Sequence, residues 1–97
     1  MNQLRASAYR AIDSERDYQD HLKADRTDFP TDGRRSVRHT VGDFVTMMQC
    51  YQNELVEAWT RNPGDAPALD TMRKIGAIAV NCMEQHGAPR RARIFED

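Results

Sequence analysis

The chain has 97 residues, of which 39% are hydrophobic and 30% charged, with a net charge of −1. That size allows one domain with a small core, so self-association is the expected way to enlarge it. The near-neutral balance argues against a DNA or RNA polymer as partner. Its two cysteines, Cys50 and Cys82, form no CxxC pair, and they read as two buried thiols of a cytoplasmic protein.

The first segment, about Asn2–Leu22, is predicted to be a helix. Leu4, Ala8, Ala11, Ile12 and Leu22, helped by Tyr18, form a thin apolar stripe that Glu15 interrupts. Such a helix packs lightly, or packs on a neighbouring subunit. No apolar stretch near it reads as a signal peptide, and no run approaches the roughly 18 residues of a membrane span.

Residues 23–39 follow as a polar loop, unusually long at about 17 residues. Lys23, Arg26, Arg34, Arg35, Arg38 and His39 stand there against Asp25, Asp28 and Asp32. The group Arg34–His39 immediately precedes a helix start. Free helical N–H groups beside arginines form a natural phosphate seat, although a solvated basic loop would have the same composition.

The second helix, about Val41–Arg61, opens at Thr40 with Asp43 in its first turn, which resembles a capping box. Val41, Phe44, Val45, Met48, Tyr51, Leu55 and Trp59 recur every three or four residues and form its expected core face. Asn62-Pro63-Gly64 ends it. The third helix, about Ala66–His86, starts after the N-cap candidate Asp65, with Pro67 in its first turn. Leu69, Met72, Ile75, Ala79, Cys82, Met83 and His86 share one face. Gly76 costs about 1 kcal/mol in mid-helix and implies a close helix–helix approach. Gly87 and Pro89 stop the helix, where His86 reads as a C-terminal cap. The short connection makes these two helices antiparallel neighbours. The expected fold class is therefore all-α: one domain with an N-terminal helix, a long polar loop, an antiparallel helical hairpin and a basic tail over 88–97.

Three groups carry candidate chemistry. Glu54 and Glu57, spaced i, i+3, share one side of the second helix, as paired carboxylates on bundle helices do when they hold Mg²⁺. The third helix adds Asp70 near its start and Glu84 near its end. These two are roughly 21 Å apart along the axis, so they cannot join one site. The loop supplies cations, with Thr27 as a hydroxyl. Tyr9 and Tyr18 offer rings for base stacking, whereas Tyr51 and Trp59 read as packing residues. His21, His39 and His86 are scattered, and no nucleophile stands beside a histidine and an acid.

The segment Ile12-Asp13-Ser14-Glu15-Arg16-Asp17-Tyr18-Gln19-Asp20 resembles the opening of small phage proteins. So do Ala68-Leu69-Asp70-Thr71-Met72-Arg73-Lys74-Ile75 and Cys82-Met83-Glu84-Gln85-His86-Gly87-Ala88-Pro89. Those proteins are similar to the all-α MazG-like nucleoside triphosphate pyrophosphohydrolases. That resemblance implies Mg²⁺ held by acidic pairs on two helices. Glu54 and Glu57 match the first pair, and Asp70 alone stands near the second. The architecture is also similar to phage anti-CBASS sponge proteins, small oligomers that sequester cyclic nucleotide immune signals between subunits. By position, Tyr9 or Tyr18 would supply the aromatic contact, and Lys23, Arg26 or Thr27 the polar one.

The leading expectation is a homo-oligomeric cytoplasmic protein that sequesters a nucleotide, cyclic forms included, without turnover and without a cofactor. Its ligand residues would be Tyr9, Tyr18, Lys23, Arg26, Thr27, Arg34, Arg35, Arg38 and His39. One alternative is a reduced Mg²⁺-dependent pyrophosphohydrolase using Glu54, Glu57 and Asp70, its metal site completed across a dimer. Another is a protein-binding inhibitor that uses the hairpin and the tail arginines Arg90, Arg91 and Arg93. Neither a nucleic-acid polymer nor a membrane is an expected partner.

Overall fold

The computed structural model describes residues 2–25 and 38–92, apart from the side chains of 23–25. Every regular element among them is a helix: α1 (Gln3–Asp25), α2 (Val41–Arg61) and α3 (Ala66–His86). The expected spans of α2 and α3 match these bounds, and α1 runs three residues further than expected. None of the helices is long and apolar enough to cross a membrane.

Local chemistry sets the helix ends. The Asn2 side chain accepts from Arg5 N at 2.8 Å and so caps α1. Thr40 and Asp43 form a complete capping box, with Asp43 N donating to Thr40 Oγ1 at 3.0 Å and Thr40 N to the Asp43 carboxylate at 2.9 Å. At the other end of α2, Asn62 leaves the helix for extended backbone ahead of Pro63, and its side chain donates to the Ala58 carbonyl at 2.8 Å. Asp65 stands at the N-cap of α3 but makes no side-chain capping bond. Gly87 closes α3 at φ 114°, a region that favours glycine, and its N–H reaches Met83 O at 2.8 Å.

α3 is the central helix. Both α1 and α2 pack on it, and α1 does not pack on α2. By burial and helical spacing, Phe44, Tyr51 and Ala58 mark the α2 side of the hairpin seam and Ala68, Ile75 and Cys82 the α3 side. Of these, Phe44 and Ala68 are buried and the others half-buried. Phe44 is 1% exposed and is the only large side chain so enclosed among the described residues. His39 and His86 meet its ring edge-on, with centroids 5.5 and 6.3 Å away.

α1 is held differently. Its contact stripe is Ile12, Glu15, Arg16 and Gln19, which shares only Ile12 with the expected apolar stripe, while Leu4, Ala8, Ala11, Tyr18 and Leu22 remain exposed. Glu15 and Arg16 are both buried. Glu15 accepts from Arg73 Nε at 2.9 Å, and Arg16 Nε donates to Glu84 at 2.6 Å, a charge-crossed pair of links from adjacent residues. Between them Ile12 rests on Gly76. A Cβ there would stand 2.8 Å from Ile12 Cδ1, so the glycine permits the expected close approach.

The expected core faces are only partly buried within one chain. Val41, Val45 and Trp59 of the expected α2 face are exposed, as are Leu69, Met72 and Met83 of α3; Val56, beside the α2 face, is exposed too. Cys50 is exposed and Cys82 half-buried, so the expectation of two buried thiols is corrected. Cys50 lies one position before Tyr51, on the outer flank of α2.

Candidate functional site

Helix geometry places the candidate residues in three separate neighbourhoods. The first is α1. Tyr9 and Tyr18 are each 56% exposed and belong to no packed face. They are nine positions apart, or two and a half turns, so their rings leave opposite sides of the helix. A base stacked on one cannot touch the other of the same α1. The side chain of Lys23 and the residues Arg26, Thr27, Arg34 and Arg35 lie outside the described residues.

The second neighbourhood is the approach to α2. Arg38 Nη2 donates to the Gln85 carbonyl at 2.9 Å, in the last turn of α3. There a cation answers both the unmatched carbonyls and the negative helix end. His39 N donates to Gln85 Oε1 at 3.1 Å, and His86 Nε2 donates to the His39 carbonyl at 2.7 Å. From the last turn of α3, His86 therefore ties residue 39 to that helix. Hydrogen bonds from the Thr40 N–H and hydroxyl hold the Asp43 carboxyl below its ordinary pKa, helped by the nearby His39. The N-terminus of α2 thus already carries its own carboxylate. Arg38 and His39 serve here as a clasp between the start of α2 and the end of α3.

The third neighbourhood is a shallow hollow of about 260 Å³ at the far end of the hairpin, lined by Glu54, Glu57, Ala58, Arg61, Asn62 and Thr71. Both glutamates reach it, as their i, i+3 spacing implies. Arg61 stands beside them, 3.9 Å from Glu57. Asp70 does not line it. Its carboxylate binds Arg73 at 2.6 Å and lies 3.9 Å from Lys74. Mg²⁺ can be held by one or two carboxylates with waters and substrate phosphates, but here Arg61 places a positive charge beside the two glutamates and no acid of α3 lines the hollow with them. Among the described residues no group of three or more His, Cys, Asp or Glu is placed to hold a metal ion.

One arrangement escapes a reading by periodicity. Arg16 donates to Gln19 at 3.1 Å and Asp20 at 3.0 Å as well as to Glu84, and Arg73 bridges Glu15 and Asp70. Burial opposes the Arg16 charge, but the bonds to Glu84 and Asp20 outweigh it and raise its pKa. The hydrogen bonds to Glu15 and Asp70 raise that of Arg73. The segments 12–20, 68–75 and 82–89 meet in this network. Their charged residues fasten α1 to α3, and Gln85 and His86 fasten the start of α2. The signal was present as Glu15 interrupting an apolar stripe.

No protein-family model, curated protein or solved structure matches the chain.

Proposed function

We propose that this protein acts by binding and not by turnover: a self-associating helical protein that holds a nucleotide, cyclic forms included, and so withdraws a host's anti-phage signal. The observation that carries the reading is the state of the acids. Asp70 is committed to Arg73 and Lys74, which leaves Glu54 and Glu57 with Arg61 in an open hollow. The resemblance to pyrophosphohydrolases implies acidic pairs from two helices around Mg²⁺, and only the pair Glu54 and Glu57 lines the hollow.

Tyr9 and Tyr18 support the choice of ligand. They are exposed aromatic rings on the helix that runs into the basic segment 23–39. Stacking on a ring with phosphates on nearby cations is a mode open to any nucleotide. Because the two rings diverge, each would serve a different ligand or a different subunit contact. Lys23, Arg26, Thr27, Arg34 and Arg35 are the proposed phosphate contacts. Arg38 and His39 would act mainly by fixing where that segment ends.

The test is calorimetry of the full chain against linear and cyclic nucleotides, with Tyr9→Ala and Tyr18→Ala beside the parent. Stacking on one ring predicts a loss of about 5- to 150-fold in affinity for that variant. Equal affinity in both variants would defeat the assignment. Absence of heat across the panel would favour instead a protein partner for the hairpin.

A further inference from the structure

We propose that the open side of the α2–α3 hairpin is a two-fold interface with a second copy of this chain, forming a four-helix bundle. It stands whichever ligand the protein takes.

Start from the contact stripe, Phe44, Tyr51 and Ala58 against Ala68, Ile75 and Cys82. One residue onward is 100° further round each helix. In an antiparallel pair those onward positions fall on the same side of the hairpin. They are Val45, Gln52 and Trp59 on α2, and Leu69 and Met83 on α3; Gly76, between those two, is covered by Ile12, so α1 borders the strip on the α3 side. Val56 and Met72 widen the same strip. The preceding positions fall on the opposite side and include Asp43, Glu57 and Lys74. The hairpin is therefore apolar on one side and charged on the other.

The apolar side is large for what the chain leaves open. Val45, Val56 and Trp59 with Leu69, Met72 and Met83 are between 42% and 65% exposed. With full areas of about 150–250 Å² for such residues, they present roughly 600 Å² of surface. That is the upper end of the largest patch on a typical monomer, about 300–600 Å². A homodimer interface is about 65% apolar, so this patch implies on the order of 900 Å² buried per protomer. A standard interface needs about 800 Å².

Two observations select a second copy as the occupant. Among the described residues the chain buries few large apolar side chains, Phe44 at 1% and Ile78 at 6% exposed, so a constant partner would supply the rest of its core. The strip also contains no like charge to oppose itself across a two-fold axis. Its intervening positions, Met48, Gln52, Leu55 and Ala79, are all uncharged. The apolar residues follow the spacing of three and four that bundle helices interlock with. In this dimer Glu54 and Glu57 lie on the outer flank, so the interface cannot bring a second acidic pair to them.

Trp59 is the only tryptophan and sits in the strip, so it reports the contact directly. The experiment is sedimentation equilibrium of the full chain across concentration, with Trp59 emission read on the same samples. A dimer whose emission shifts to the blue as it forms is expected. Trp59→Glu and Met72→Glu should each raise the dimer Kd at least about 100-fold at unchanged helical circular dichroism. Leu4→Glu on α1 should leave it unchanged. A wild-type monomer at high concentration overturns the proposal and assigns the strip to another partner. A dimer that survives both strip variants, or that Leu4→Glu dissolves, overturns it equally.

Discussion

Replacing Gly76 with alanine sets helix propensity against packing at the α1–α3 crossing. Taken alone, α3 should gain about 1 kcal/mol. The new Cβ would stand 2.8 Å from Ile12 Cδ1 and 3.0 Å from Cγ1. Isoleucine is stiff at χ1, so Cγ1 cannot simply swing away. α1 must lift by some tenths of an ångström, and the Glu15–Arg73 and Arg16–Glu84 links stretch with it. Overpacking of this kind costs about 1–3 kcal/mol. Packing should win, and Gly76→Ala should lose about 1 kcal/mol, or roughly 4–8 °C in Tm. Ile12→Ala removes every atom within reach of that Cβ and alone costs about 2 kcal/mol. In the double variant the clash is gone and the propensity gain returns. The two changes should therefore couple favourably by about 2 kcal/mol. Thermal melts of the four proteins at one fixed concentration measure this, since association makes Tm concentration-dependent. A higher Tm for Gly76→Ala, or strict additivity with Ile12→Ala, would refute the packing argument.

Thr40→Ala should cost about 1 kcal/mol by opening the capping box, read as a lower Tm. The folded pKa of Asp43 lies below its ordinary 3.8, so its contribution is complete above that value and is lost as pH falls through the lower one. Asp43→Asn should accordingly flatten the acid limb of a stability–pH profile. Arg16→Ala deletes a buried guanidinium, but Glu84 and Asp20 are half-exposed and rehydrate. The expected loss is about 1–3 kcal/mol, with hydrogen exchange rising in α1 before α2 and α3. Phe44→Ala should cost about 3–5 kcal/mol and loosen the His39 and His86 contacts, seen as lost cooperativity in the melt.

The hairpin was legible because its signals are local. Thr40, Asn62-Pro63, Pro67 and Gly87 punctuate α2 and α3, and spacings of three and four fill the space between. Gly76 was legible as a close approach, though not which helix approaches it. What periodicity could not show was how α1 attaches. Glu15 and Arg16 look like a solvated face, because a buried ion pair and an exposed one have the same spelling. Nor could it divide the apolar face of α2 between neighbours. Phe44 and Trp59 share one periodic pattern, yet one is enclosed by α3 and the other is 65% exposed. The candidate site differs: the i, i+3 spacing brought Glu54 and Glu57 to one hollow, and the same spacing names Arg73, with Lys74 at i, i+4, as the partners that turn Asp70 away.

The claim of binding without turnover meets its most direct test in the fate of the ligand. The full chain is incubated with a nucleoside triphosphate, or with a cyclic dinucleotide, and Mg²⁺, separated from free ligand and heated. The released nucleotide is then identified and counted by chromatography. The account predicts intact nucleotide in fixed proportion to protomers. Pyrophosphate with the monophosphate, or no retained nucleotide from any member of the panel, would contradict it.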